Sequence, residues 1–168
     1  ATYDATERVY AGYGLNSITF NKFRFQTGLR IEATDATYTA INIVSPDGIY
    51  DPSQSGPIQG SSGYINLLPS VQVQYQIDTN TNLRASYGRG ISRPNFQDIV
   101  PSSQSDPNTK PSSVVKGNPN LVPTTANNFD LLAEHFFQGV GVVQGGFFYK
   151  ALSNPIYNTT VTTGTGVG

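Results

Sequence analysis

The chain of 168 residues contains no cysteine and a single histidine. Without cysteine there is no disulfide framework, no thiolate metal site and no cysteine nucleophile. A serine hydrolase would have to be built around His135, which we expect to be an interfacial side chain close to a tight turn. We therefore predict that the chain is not an enzyme and has no catalytic residue, no metal site and no cofactor.

Charge is also scarce, since Asp, Glu, Lys and Arg together make up 12% of the residues and the net charge is −1. No cluster of Lys and Arg resembles those that follow a phosphate backbone, so nucleic acid is not an expected partner. Hydrophobic residues reach only 37%, below the usual range for globular domains. In their place stand neutral polar residues with 10 Tyr, 9 Phe and 17 Gly, a composition that favours strands joined by turns.

Long hydrophobic runs are missing as well. No window approaches the roughly 18 consecutive apolar residues of a transmembrane helix, and no charged segment followed by an apolar run opens the chain. We therefore expect neither a transmembrane helix nor a signal peptide in this sequence. These absences do not exclude a membrane-spanning β-strand, because the sequence signal of such a strand is only an alternation of apolar and polar residues over about ten positions.

Alternation of this kind is clearest in residues 22–33. Phe23, Phe25 and Leu29 occupy odd positions there, while charged and polar residues occupy the even ones, so one face is apolar and the other hydrophilic. Odd positions of the first alternating segment are apolar too, with Val9 and Leu15 among them. The pattern predicts about six strands, near residues 7–16, 22–33, 64–77, 82–93, 126–137 and 141–157.

The connections between these segments alternate strictly between short and long. Short links are expected at 17–21, 78–81 and 138–140, and long ones at 34–63 and 94–125. In an antiparallel meander this order places every short turn at one end of the sheet and every long loop at the other. Outer-membrane β-barrels have that asymmetry, with short periplasmic turns and long extracellular loops. The predicted fold class is therefore all-β, an antiparallel meander forming part of a transmembrane β-barrel.

Charged residues on the even face of the strands support a water-filled interior. Burying several unpaired ions in a dry core would cost several kcal/mol each, whereas a barrel lumen keeps them hydrated. The alternative is a soluble or self-associating β-sheet module for binding or adhesion, in which the Phe/Leu/Val face is the interior. The charged residues on that face are Arg24, Arg30, Glu32, Arg84, Asp130 and Glu134.

Prolines mark where strands are expected to give way to loops. In the Ser92-Arg93-Pro94 motif, Pro94 has no N–H for the strand ladder and keeps Arg93 extended, so regular pairing should lapse close to Pro94. A second proline-rich motif, Gly117-Asn118-Pro119 with Leu121 and Pro123, offers a turn and then a stiff extended path. We interpret the residues of both motifs as structural markers of the loop edges.

These motifs also carry a resemblance to a known family. "SRPNFQDIVP" at 92–101, "GNPNLVPTTANNFDL" at 117–131 and "GGFFYKALSNPIY" at 145–157, in this order, resemble the barrel domain of TonB-dependent outer-membrane receptors. The resemblance covers about residues 7–157. It implies location in the outer membrane of a Gram-negative bacterium and energised uptake of a scarce solute, such as siderophore-bound iron, haem, cobalamin or a saccharide.

The resemblance also implies partners and candidate ligand contacts. The partners would be outer-membrane lipid, a small solute, and the TonB complex acting through a plug domain that this chain does not show. Solute would be captured by the long loops and the upper lumen, where Arg30, Arg93 and Lys110 are candidate contacts. Since about six strands cannot close a barrel, the chain is expected to be an internal barrel segment whose open edges favour edge-to-edge self-association.

Overall fold

The structure is a computed structural model that describes residues 3–42, 53, 55–100, 103–106, 113–139 and 141–159. Its main element is a six-stranded antiparallel sheet in the order β1-β2-β3-β4-β7-β8. A short hairpin of β5 and β6 and the helix α1 lie in the connection between β4 and β7. The bounds are β1 Tyr3–Phe20, β2 Phe23–Asn42, β3 Gly56–Asp78, β4 Thr81–Ser92, α1 Phe96–Ile99, β5 Ser103–Asp106, β6 Ser113–Lys116, β7 Thr124–Phe137 and β8 Gly141–Ser153.

The predicted meander of six strands is confirmed, but most of the strands are longer than predicted. Pairing of β2 with β3 continues to Asn42 opposite Gly56, so much of the expected loop 34–63 is a two-stranded extension of the sheet. The outward positions of that extension, such as Asp35 and Thr37, are polar and exposed. The loss of apolar alternation there marks the end of the apolar band and not the end of the strand.

The turn between β1 and β2 also differs from the prediction, which placed a link at 17–21. Those residues continue β1 to Phe20, and the turn consists of Asn21 and Lys22. Asn21 has φ 51°, a left-handed conformation that Asn tolerates better than most residues. Because Phe20 pairs with Phe23, even positions of β1 share a face with odd positions of β2.

This pairing reverses the predicted orientation of β1. Val9 and Leu15 lie opposite Thr34 and Gly28, on the same face as the charged residues of β2. The apolar residues of β1 therefore join the hydrophilic face of the sheet. Alternation in the sequence shows that odd and even residues lie on opposite faces of a strand. It does not show which of these faces joins the apolar face of the neighbouring strand.

The sheet presents one apolar face and one polar face. One row of directly paired residues across five strands on the apolar face consists of Phe25, Val73, Ala85, Leu131 and Phe147. On β2 the apolar face runs from Phe23 to Ala33, about 33 Å along the strand and about 25 Å along a membrane normal at a tilt of roughly 40°. That height matches the apolar band of an outer-membrane barrel.

Aromatic rings border this band at both ends. Near the short turns, Phe23 stacks on Tyr75 with ring centroids 4.7 Å apart. Near the opposite end, Tyr87 and Phe129 lie 5.0 Å apart, and Phe129 and Tyr149 lie 6.3 Å apart. Two aromatic belts of this kind are typical of strands that cross a bilayer.

The apolar face has no second layer over it within the described residues. Leu131 is 58% and Phe147 is 67% exposed, as expected for a face that contacts lipid. The outer backbone edges of β1 and β8 have no strand partner in the described part of the chain. Self-association through these edges stays a prediction. No helix among the described residues has the length and hydropathy needed to span a bilayer.

Candidate functional site

The connection after β4 folds back onto the polar face. Ile99, the last residue of helix α1, and Val100, which follows it, pack against Tyr38 and Ala40 of the β2 extension. Val100 and Ala40 are each 1% exposed and Tyr38 is 5% exposed. This buried apolar contact holds the connection against β2, and to reach β2 from β4 the connection crosses β3.

The two proline-containing motifs meet in this folded connection. The backbone N–H of Asn118 donates to the carbonyl oxygen of Asp98 at 2.6 Å. Gly117 lies against Val100 so closely that a Cβ on Gly117 would be 2.2 Å from the Val100 carbonyl oxygen. The glycine is thus required by a close approach of two backbone segments, a contact that the sequence spacing alone did not reveal.

Arg93 anchors the start of the connection to the polar face. Its guanidinium donates to the Glu32 carboxylate, and its Nε lies 3.7 Å from Oε1 of Glu7. Arg30 Nε donates to Oε1 of Glu32 at 2.6 Å, while Thr34 Oγ1 accepts a longer bond of 3.4 Å from Arg93. We call these five residues, Glu7, Arg30, Glu32, Thr34 and Arg93, the Arg93 cluster.

The charges of the cluster compensate one another. Glu32 is 7% exposed, and a carboxylate that deeply buried is stable only when it is paired and hydrogen-bonded. Two guanidinium groups meet this need. Burial acts to lower the pKa of Arg93, but the hydrogen bond to Glu32 and the charges of Glu32, Tyr64 and Glu7 together outweigh it, so the pKa of Arg93 is raised and the side chain is a permanent cation.

A cavity of about 510 Å³ opens beside the Arg93 cluster. Its wall offers a carboxylate, a guanidinium, two side-chain amides and two aromatic rings, so it presents hydrogen-bond donors, acceptors and apolar contact surface together. Binding sites for small molecules combine these features in pockets of about 300–1,000 Å³. The lining residues are Tyr3, Glu7, Arg93, Pro94, Asn95, Phe96 and Gln97.

The structure brings together two of the three predicted ligand contacts. Arg30 and Arg93 converge on Glu32, whereas Lys110 lies outside the described residues. Glu7 was not predicted as a site residue, because the odd positions of β1 were assigned to the apolar face of the sheet and not to the polar face. Glu32 had been placed on the charged face, but nothing in its spacing pointed to Arg93, which is distant in the sequence and reaches it only through the folded connection.

Three other charged residues of the polar face, Arg84, Asp130 and Glu134, have partners on neighbouring strands. Arg84 lies 3.5 Å from Glu134, and the Ser86 hydroxyl donates to Asp130 at 3.3 Å. These pairs stand on the face predicted to line a lumen, as expected for Arg84 and Ser86. The ion pair compensates the charge of Glu134, and the Ser86 hydroxyl solvates the carboxylate of Asp130.

His135 takes part in a small network at a short turn. The Thr81 hydroxyl donates to Asp78 Oδ2 at 3.0 Å, and its oxygen lies in hydrogen-bond contact with His135 Nδ1 at 2.9 Å. The ring also packs edge-on against Phe137, with centroids 4.4 Å apart, which is a turn-stabilising arrangement.

Comparison with known proteins gives the family of the chain. A search of curated proteins returned no match. The model of the outer membrane protein beta-barrel family matches residues 1–166, which is nearly the whole chain. This match agrees with the apolar band, the aromatic belts and the paired charges of the polar face. The chain belongs to the outer membrane protein beta-barrel family, so it is a protein of the Gram-negative outer membrane whose strands form part of a β-barrel wall.

Proposed function

We propose that this barrel wall belongs to a TonB-dependent receptor that imports a scarce solute across the outer membrane. The proposal rests on the fold of the connection after β4. This connection lies on the polar face, at the end of the barrel away from the short turns. There it forms a cavity of about 510 Å³ beside the Arg93 cluster. A solute arriving from outside meets this cavity before it reaches the rest of the lumen.

The fold of this connection fits capture better than open diffusion. An unobstructed pore has no use for a segment that is buried against the wall through Ile99 and Val100 and tied to Glu32 by Arg93. A receptor needs a formed site that holds its solute until energy is supplied. The resemblance of motifs 92–101, 117–131 and 145–157 to the receptor family supports the same interpretation.

The chemistry of the cavity suggests how solute would be held. Arg93 offers guanidinium N–H donors to carboxylate, phosphate or hydroxyl oxygens, and Glu7 offers an acceptor. Phe96 and Tyr3 add aromatic surface. Arg30 acts behind this surface by holding Glu32 in place, and Lys110 stays a candidate contact of the long loop. Solute classes compatible with the proposal are siderophore-bound iron, haem, cobalamin and saccharides.

The proposal includes TonB as an energy-coupling partner, acting through a plug domain as in the family that the motifs resemble. It includes no catalytic step. The position of His135 at a short turn, in contact with Thr81 and Phe137 and outside the lining of the cavity, supports this proposal, because general-base catalysis would need a base beside the bound substrate.

Uptake by living cells tests the proposal. We expect cells that carry the protein to take up one of four probes, a ferric siderophore, haem, cobalamin or a maltooligosaccharide, and to lose that uptake when TonB is deleted. Arg93→Met should reduce uptake at least about tenfold, because about 1.4 kcal/mol of lost charge-assisted bonding corresponds to a factor of ten. Initial rates with radiolabelled or fluorescent probe provide the measurement.

Arg24→Met is the matched control, since Arg24 is an arginine of the same face near the opposite end of β2. Its uptake should stay within about twofold of wild type, because it lies far from the cavity. Uptake that persists without TonB would contradict energised transport. Equal losses in the two arginine variants would contradict the role of the cavity.

A further inference from the structure

Arg89 stands on the outside of the barrel wall at the outer end of the apolar band. It follows Leu83, Ala85 and Tyr87 along the same face of β4, one step beyond the aromatic row of Tyr87 and Phe129. Its side chain is exposed and forms no ion pair with any described residue. A cation in this position lies at the level where lipid headgroups replace acyl chains.

Asn127 is placed beside Arg89 by the strand register. The two residues are directly opposite in the β4–β7 pair, which brings their Cβ atoms to about 5 Å. The hydroxyl of Tyr87 donates to Oδ1 of Asn127 at 2.9 Å. This bond engages the amide oxygen, and none of the described residues accepts a hydrogen bond from the Asn127 NH₂ group, which can donate to a ligand. Arg89 and Asn127 therefore present adjacent donors.

An apolar groove runs along the wall below these donors. It consists of two adjoining hollows of about 500 Å³ and 380 Å³, on the scale of ligand-binding pockets. The groove is deepest where the small residues Ala85, Ala133 and Gly145 lie between larger side chains. The residues common to both hollows are Val73, Ala85, Leu131 and Phe147.

The surroundings favour an anion at the top of the groove. Between the short turns and Arg89, the outward positions of β3, β4, β7 and β8 within the described residues include no Asp or Glu. Arg89 is thus an uncompensated positive charge above an apolar groove, with a second donor beside it. An amphiphile with an anionic headgroup and an acyl chain has the complementary chemistry.

We propose that Arg89, Asn127 and this groove form a binding site for an acylated lipid with a phosphate-bearing headgroup, of the lipid A type found in the outer leaflet. The phosphate oxygens accept hydrogen bonds from the Arg89 guanidinium and the Asn127 amide. One acyl chain lies over Ala85 toward Gly145. The site is on the outside of the wall and is independent of solute uptake.

Native mass spectrometry of the purified protein in detergent tests this site. The protein is delipidated and incubated with lipid A, phosphatidylglycerol or phosphatidylcholine in separate samples. Wild type should retain lipid A in preference to the other two lipids. Arg89→Gln should lower the retained fraction of lipid A by roughly tenfold, as expected for the loss of charge-assisted bonds, and Ala85→Leu, which fills the groove, should lower it several-fold.

Arg8→Gln is the matched control, because Arg8 is also an exposed outward arginine but lies opposite Asp35 in the register. It should retain lipid A as wild type does. Circular dichroism verifies that each variant is folded. Unchanged retention in Arg89→Gln, or an equal loss in Arg8→Gln, would overturn the site. Stronger retention of phosphatidylglycerol than of lipid A would overturn the assignment to lipid A.

Discussion

Replacing Val71 by lysine is expected to destabilise the folded barrel by about 2–4 kcal/mol, the cost of a cation near the bilayer midplane on the lipid face. Val71 lies on the apolar face between Thr27 and Tyr87 and is 42% exposed within the sheet. In the membrane this exposure is to acyl chains, which offer the ammonium group neither water nor a counter-ion.

The neighbouring substitution Gln72→Lys should change the free energy of unfolding by less than about 1 kcal/mol. Gln72 points to the polar face, where its register partners Gln26 and Ser86 are neutral and water is present. Reversible urea unfolding of the protein in lipid vesicles measures both variants. If the two lysines cost the same, or if Gln72→Lys costs more, the assignment of lipid and lumen faces is wrong.

Replacing Gly117 by alanine is expected to loosen the folded connection after β4. The added Cβ would lie 2.2 Å from the carbonyl oxygen of Val100 and 2.8 Å from its carbonyl carbon, and backbone atoms cannot move aside as a flexible side chain can. Overpacking of this kind typically costs about 1–3 kcal/mol. The connection should therefore separate from β2 more often in the variant.

Hydrogen exchange of the Asn118 amide provides the measurement, because this N–H donates to Asp98 only while the connection is folded. Exchange should become at least about tenfold faster in Gly117→Ala, which corresponds to about 1.4 kcal/mol of local stability. Gly90→Ala is the control, since a Cβ at Gly90 meets no atom within 4 Å. Slow exchange in both variants would contradict the close approach of Gly117 and Val100.

Much of the wall was predictable from the sequence, because strand alternation and connection length are local properties. Odd positions of residues 22–33 and 82–93 do lie on one face, and the six-stranded meander follows from the order of short and long links. The strand ends were less predictable. Beyond Ala33 the outward residues face water and become polar, while inward residues such as Ala36 and Tyr38 are buried, so the chain stays paired after its apolar signal has ended.

The candidate site was only partly predictable, because it depends on contacts between distant segments. Arg30 and Arg93 could be selected as polar groups near loop edges. Their convergence on Glu32 requires the connection after β4 to cross β3, and no local pattern encodes that path. The contribution of Glu7 depended on the turn at Asn21 and Lys22, whose geometry decides which face of β1 meets β2.

The sheet is expected to cross the outer membrane with its apolar face toward lipid. Spin-label accessibility along β7 tests it most directly, and the chain has no cysteine of its own to interfere with single-cysteine labelling. Labels placed one at a time from Asn127 to His135 in a bilayer should alternate with a period of two. Odd positions such as Leu131 should be accessible to oxygen, and even positions such as Leu132 to a water-soluble nickel complex. Uniform accessibility, or the opposite phase, would contradict the claim.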